Sequence, residues 1–230
     1  MTMTQAQALT AVRERLDETD SAGWSDAEIR RWINEAVTDI ARKTETVQSI
    51  ATLDVDAGDA DHTLPANVLR VYRATYTEDG NDHIYPLEYV DFNAADSIWW
   101  TDQAITEARP RMFTMWGYPP SLAAKLYPVP SVNGTLTVYY YAAPTPLATD
   151  GSATSTALTV PEPYLDLVLE YATYLALRRD RDPRWKEHKQ AYDEALVAMV
   201  DMTRRWSDQA GTISRAGTGL PNWLVDDSGY

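Results

Sequence analysis

The chain has 230 residues, no cysteine, 44% hydrophobic content and a net charge of −14, from 20 basic against 34 acidic residues. That length and apolar share suit one large folded domain or two small ones. The absence of cysteine excludes disulfides and thiolate chemistry, and the acidic balance argues against a protein that grips nucleic acid through its phosphates.

The opening residues Met1-Thr2-Met3-Thr4-Gln5 carry neither a basic region nor an apolar run. No stretch approaches the roughly 18 apolar residues of a membrane span, so a soluble, unexported protein with no membrane contact is expected. Residues 1–46 read as two helices, one marked by Leu9, Val12 and Leu16, the other by Ile29, Trp32, Ile33, Ala36, Val37 and Ile40. Gly23 separates them. Ser25 followed by Glu28 is a capping box, in which serine bonds an orphan backbone amide and glutamate reaches back to the cap, so the second helix starts near Asp26.

From Val47 the period changes. Residues 47–55, 68–76, 111–116, 122–127 and 136–141 are short runs rich in β-branched or aromatic residues between Gly, Pro, Asn or Asp, and are predicted strands. Asn133-Gly134 is a two-residue hairpin signal, because both turn positions favour positive φ, and it predicts antiparallel pairing of the last two runs. A short helix is expected over 89–105, with Trp99 and Trp100 on it or on a loop. Residues 148–156 (ATDGSATST) are small and polar, which predicts a flexible turn or spacer.

Pro161 and Pro163 open a helix apolar on nearly every side, from Tyr164 through Val168 and Tyr171 to Leu177, and such a helix is buried in its own core or between subunits. Arg178-Arg179-Asp180-Arg181-Asp182-Pro183 ends it. A last helix over 184–206 carries Tyr192, Ala195, Leu196, Met199 and Trp206 on one face. In 207–230, Gly211, Gly217, Gly219 and Pro221 work against a regular element, while Leu220, Trp223, Leu224, Val225 and Tyr230 suggest an arm seeking a partner, a tail folded back on its own domain or disordered being the other reading.

The expected fold class is α+β. A helical bundle is formed by N-terminal (1–46) and C-terminal (161–206) helices, with an inserted antiparallel β region (47–160) and an extended C-terminal arm (207–230). The β region holds most of the negative excess, with five bases (Arg70, Arg73, Arg109, Arg111, Lys125) against thirteen acids. The 8 Trp and 14 Tyr against 2 Phe fit either a tyrosine-using core or a surface that meets another protein.

Motifs for chemistry are missing. His62, His83 and His188 lack the spacing that puts two imidazoles on one helix face. The acidic run 54–61 suggests a calcium loop, but Gly58 stands where a ligand belongs and Pro65 where a bidentate glutamate belongs, which favours a solvated turn. Neither the phosphate-cradling glycine loop nor the G-x-S-x-G elbow occurs, and no carboxylate pair is singled out. No catalytic residue, cofactor or metal is expected.

Six local patterns in register resemble the head-to-tail adaptor (connector, head-completion) family of tailed double-stranded DNA bacteriophages. Trp24-Ser25-Asp26-Ala27-Glu28-Ile29 with Ile33-Asn34-Glu35-Ala36-Val37-Thr38-Asp39-Ile40-Ala41-Arg42 resembles the family's early helix. Thr63-Leu64-Pro65-Ala66-Asn67-Val68-Leu69-Arg70-Val71 resembles its entry to a strand, with Asn67 in place of the usual aspartate. Gly117-Tyr118-Pro119, Leu126-Tyr127-Pro128-Val129-Pro130 and Leu136-Thr137-Val138-Tyr139-Tyr140-Tyr141 resemble its strand signatures, and Val160-Pro161-Glu162-Pro163-Tyr164 its opening of the long helix.

The resemblance implies a structural subunit of the virion, assembled in the host cytoplasm. It implies a ring of copies, usually dodecameric, at the capsid portal vertex, joined to the portal protein above and to a stopper, tail or hub protein below. Double-stranded DNA would pass through the channel in packaging and ejection without specific binding. Heterologous contacts close such a ring, and the helical pairs are the candidates for them, through Trp32, Ile33, Tyr164, Val168, Tyr171, Tyr192, Met199 and Trp206. The candidate portal-docking arm carries Leu220, Pro221, Asn222, Trp223, Leu224, Val225 and Tyr230, which could add a strand to an exposed sheet edge. The alternative is a carbohydrate- or receptor-binding tail module that stacks sugars on Trp99, Trp100 and Trp116.

Overall fold

The computed structural model describes residues 2–18, 23–94 and 108–216, with side chains to residue 203. The chain forms two compact units, Met1–Thr46 with Pro146–Tyr230, and Val47–Thr145.

In the helical unit, α1 (Gln5–Arg15) and α2 (Asp26–Thr44) each begin with a capping box, Thr4 with Gln7 and Ser25 with Glu28. Each box satisfies two backbone amides that lack partners at a helix start. A 3-10 turn (Glu162–Tyr164) leads into α3 (Leu165–Arg179), and α4 (Trp185–Ala216) follows. Ile29, Ile33 and Ile40 of α2, Val168 and Ala172 of α3, and Tyr192 and Met199 of α4 are buried in one core with Val12 of α1. The apolar spacing of each helix therefore faces a common interior.

Residues 148–156 are pinned, not flexible. Backbone amides of Gln5 and Ala6 donate to the carbonyls of Thr156 and Thr154, and Leu158 returns a bond to Met3. Gln5 Nε2 donates to Ala148 O (3.1 Å), and Arg30 Nη1 to Thr149 O (3.3 Å). Polar composition says that a segment cannot build a core, but it does not stop distant side chains from satisfying its backbone.

The second unit is a seven-stranded sheet in the order β1-β7-β3-β4-β5-β6-β2. The strands are β1 (Gln48–Val55), β2 (Asp61–Thr63), β3 (Val68–Glu78), β4 (Ile84–Tyr89), β5 (Met112–Trp116), β6 (Ala123–Tyr127) and β7 (Gly134–Ala142). Val55 near one end of the sheet and Leu126 near the other share one core with Tyr76, Phe113, Leu136 and Val138, so the sheet wraps around its own interior. On β7, Leu136, Val138 and Tyr140 point in, and Thr137, Tyr139 and Tyr141 lie on the opposite face, the period-2 alternation of a half-buried strand.

Other expectations are corrected here as well. The fold is mixed α/β with one large sheet, not a helical bundle with an inserted antiparallel region. Two strands outside the predicted runs, β2 and β4, complete the sheet, and β4 pairs with β5 in parallel. Pro86 hides β4, yet β5 registers only with Glu88 and Tyr89, so the proline occupies a stretch without a strand partner on that side.

The Asn133-Gly134 hairpin does not form either. β7 lies between β1 and β3, while β6 lies between β5 and β2. Gly134 is needed for closeness: a Cβ there would meet Thr77 O and stand 2.6 Å from Tyr76 Oη.

Another correction concerns the arm. α4 continues past Trp206 and through Gly211 to Ala216, so the extended segment does not begin at 207. One glycine costs a helix about 1 kcal/mol and does not stop it. The helix expected over 89–105 also changes: Tyr89 ends β4, a helical turn covers 92–94, and 95–107 lie outside the described residues.

Candidate interaction surfaces

On the helical unit, Tyr192 of α4 donates to Asp39 Oδ2 of α2 at 2.5 Å, and Tyr171 of α3 donates to Glu35 Oε1 at 3.2 Å. The two rings meet edge-on, 4.9 Å between centroids, and Lys43 donates to the same Asp39 oxygen at 2.7 Å. Burial first, then the neighbouring carboxylates, push both phenols far above their ordinary value. They stay protonated and act as hydrogen-bond donors that fix the spacing of three helices. Outside them runs a groove of about 640 Å³ lined by Arg31, Glu35, Thr38, Arg42 and the 146–149 segment. Asn34 closes one wall by a reciprocal pair of bonds with Leu147, donating to its carbonyl (2.7 Å) and accepting from its amide (3.1 Å).

The residues expected to pack a ring are placed as follows. Trp32, Ile33, Tyr164, Val168, Tyr192 and Met199 are buried within the helical unit of the single chain, and Tyr171 is half-buried. They hold the helices together. The surface that they turn outward on α4 carries Asp193, Glu194, Val197 and Asp201, all exposed. The side chain of Trp206 and the residues Leu220, Pro221, Asn222, Trp223, Leu224, Val225 and Tyr230 lie outside the described residues.

On the sheet unit, Trp116 is 47% exposed, and its Nε1 donates to Asp61 (3.2 Å). Trp99 and Trp100, expected to join it in a sugar-stacking platform, lie outside the described residues. The face of β1, β7 and β3 turned away from the core is richer. Ile50 pairs with Tyr139, and Gln48 with Tyr141. The Tyr72 ring lies 4.9 Å from Tyr141 and 6.3 Å from Tyr139. The Arg70 and Arg73 guanidiniums stack over Tyr141 (5.1 Å) and Tyr139 (5.3 Å). Two irregularities in the β3–β7 register, at 68/70 and 71/73, deliver Tyr72 to this face. Sequence reasoning missed the patch because a bulge cannot be read from strand alternation.

Neither surface gathers groups for a reaction, and no cluster of three His, Cys, Asp or Glu suited to a metal occurs among the described residues. The resemblance motifs are structural. Asn67 accepts from Tyr140 Oη (3.3 Å) and, through its carbonyl, from the Ala143 amide (2.7 Å), and Gly117 adopts φ +84 against Ser121 O.

Residues 3–216 match the SU10 adaptor protein family. The chain belongs to that family. The match covers all the described elements and bears out the resemblance to phage head-to-tail adaptors drawn from the motifs. It identifies a phage adaptor with a structural role, one that interacts with other proteins of the head and tail. No curated protein matches this adaptor at a significant level. No described helix of the adaptor is long and apolar enough to cross a membrane.

Proposed function

We propose that the adaptor forms a ring, dodecameric by the resemblance, beneath the portal protein at the capsid vertex. The ring joins the portal to a stopper, tail or hub protein and continues the DNA channel used in packaging and ejection. The family match over residues 3–216 carries this reading. The net charge of −14 supports it: an acidic ring repels phosphate, so DNA slides instead of sticking. The helical pairs supply one side of the ring contacts, with the buried aromatic and aliphatic residues as the rigid backing of the outward faces.

The segment after Ala216 docks to the portal through Leu220, Trp223 and Leu224 as anchors, flanked by Pro221, Asn222, Val225 and Tyr230. Electron microscopy of the adaptor mixed with its cognate portal tests the ring. Ring averages seated on the portal are expected, and a monomer that leaves the portal bare overturns it. Removing residues 217–230 is expected to leave a folded subunit that no longer binds portal in a pull-down. Unchanged binding rejects the docking role.

A further inference from the structure

Two exposed faces of the adaptor have opposite chemistry. The open face of β1, β7 and β3 holds Ile50 (60% exposed), Tyr72 (43% exposed), Tyr139 and Tyr141, with Arg70 and Arg73 laid over the two latter rings. Two of the five bases of residues 47–160 stand on this one patch, in a segment with thirteen acids. The acid on that face, Asp54, lies at the far end of β1, opposite Thr135. An apolar and aromatic centre bordered by arginine is the composition of a protein contact core, where Tyr and Arg are enriched. A guanidinium stacked on a ring is held in place before a partner arrives, so less side-chain freedom is lost on binding.

The exposed stripe of α4 is its counterpart. Val197, 62% exposed, sits one turn from Glu194 on one side and from Asp201 on the other. Asp201 has no ion-pair partner among the described side chains, which end at residue 203. Lysine is absent from this half of the stripe: Lys189, the last before it, is engaged with Asp193.

We propose that these faces meet between two copies of the chain, the Ile50/Tyr72/Arg70/Arg73 face of one adaptor receiving the Glu194/Val197/Asp201 stripe of the next. The occupant is a second copy because the chain itself presents the matching acidic and apolar surface. Because the two patches differ, the contact is heterologous, the type of contact from which a ring is built when the rotation between copies closes. This inference rests on the ring reading and deepens it by naming the surfaces.

The test uses full-length chain with cognate portal, and counts rings by electron microscopy and subunits by native mass spectrometry. Two charge-reversed proteins are made, R70E/R73E on the sheet face and E194R/D201R on the helix, each checked by circular dichroism for a wild-type fold. Each alone is expected to lose rings. An equimolar mixture is expected to restore them with the two proteins alternating, since each then offers its neighbour an opposite charge, and the four substitutions combined in one chain are expected to restore them too. If wild type forms rings and the reversed proteins form them equally well, or if neither the mixture nor the combined variant recovers, the proposed contact is overturned while the ring stands. If wild type forms no ring, both fall. If R70E/R73E keeps the ring but loses retention of double-stranded DNA, the sheet face serves nucleic acid and the proposal is overturned.

Discussion

Tyr192 Oη and Asp39 Oδ2, 2.5 Å apart and 153 positions distant in sequence, tie α4 to α2. Tyr192 is wholly buried, and the carboxylate oxygen that accepts from its phenol also accepts from Lys43. Tyr192→Phe keeps the ring packing and removes this bond, so a loss of about 1–2 kcal/mol is expected in urea unfolding. No change in the midpoint would mean that Lys43 alone satisfies Asp39.

Alkaline pH tests the same cluster through linkage. Tyr171 and Tyr192 both titrate higher folded than their ordinary value, chiefly through burial. Their contribution is therefore complete below the ordinary tyrosine pKa near 10 and is lost as pH rises beyond it toward the folded values. Between about pH 9 and 11 the thermal midpoint of wild type should fall more steeply than that of Y171F/Y192F. Parallel falls would place the alkaline sensitivity elsewhere.

Gly134→Ala addresses crowding. Its Cβ would press on Thr77 O and Tyr76, and overpacking of this kind costs roughly 1–3 kcal/mol. Gly80→Ala, where the space is open but φ is +76, should cost about 1 kcal/mol through conformation alone. Equal and negligible losses at both sites would contradict the close approach of β7 to β3.

Arg13 is buried and donates to Trp24 O (2.9 Å) and Asp26 Oδ1 (2.6 Å), bracing the turn between α1 and α2. Because Asp26 is half-exposed, Arg13→Met should cost roughly 2 kcal/mol, less than a fully buried pair. Chemical denaturation reads it directly.

Asn34→Ala removes both bonds to Leu147 and should cost about 2 kcal/mol. Amide exchange at Leu147 is expected to accelerate. Protection equal to wild type would show that the segment is held by its other bonds.

Local signals were legible and nonlocal ones were not. Ser25 and Glu28 announced a helix start because the box closes within four residues, and the α2 stripe from Ile29 to Ile40 named its buried face. The same box at Thr4 and Gln7 is harder to see, because no acidic residue marks the first turn of α1. Arg13 and Arg30, charged and therefore expected outside, are buried because their acceptors, Trp24 O and Thr149 O, come from other segments. β2 is three residues long and carries no period, and in β4 a proline masks it. Asn133-Gly134 misled because a glycine chosen for nearness looks, in sequence, like one chosen for positive φ. The surfaces were least visible: the outward stripe of α4 reads as ordinary solvated helix, and the tyrosine and arginine patch exists only through pairing of strands far apart in the chain.

The helical unit takes its first two helices from Met1–Thr46 and its last two from the stretch beyond Pro146. During synthesis on the ribosome, α1 and α2 must therefore wait with Ile29, Ile33 and Ile40 uncovered while some hundred intervening residues emerge, and the sheet has all its strands first. Domains fold as their residues become available, so the helical core is the last to close, and a chain cut short before α3 would expose an apolar helix pair to aggregation or to a chaperone.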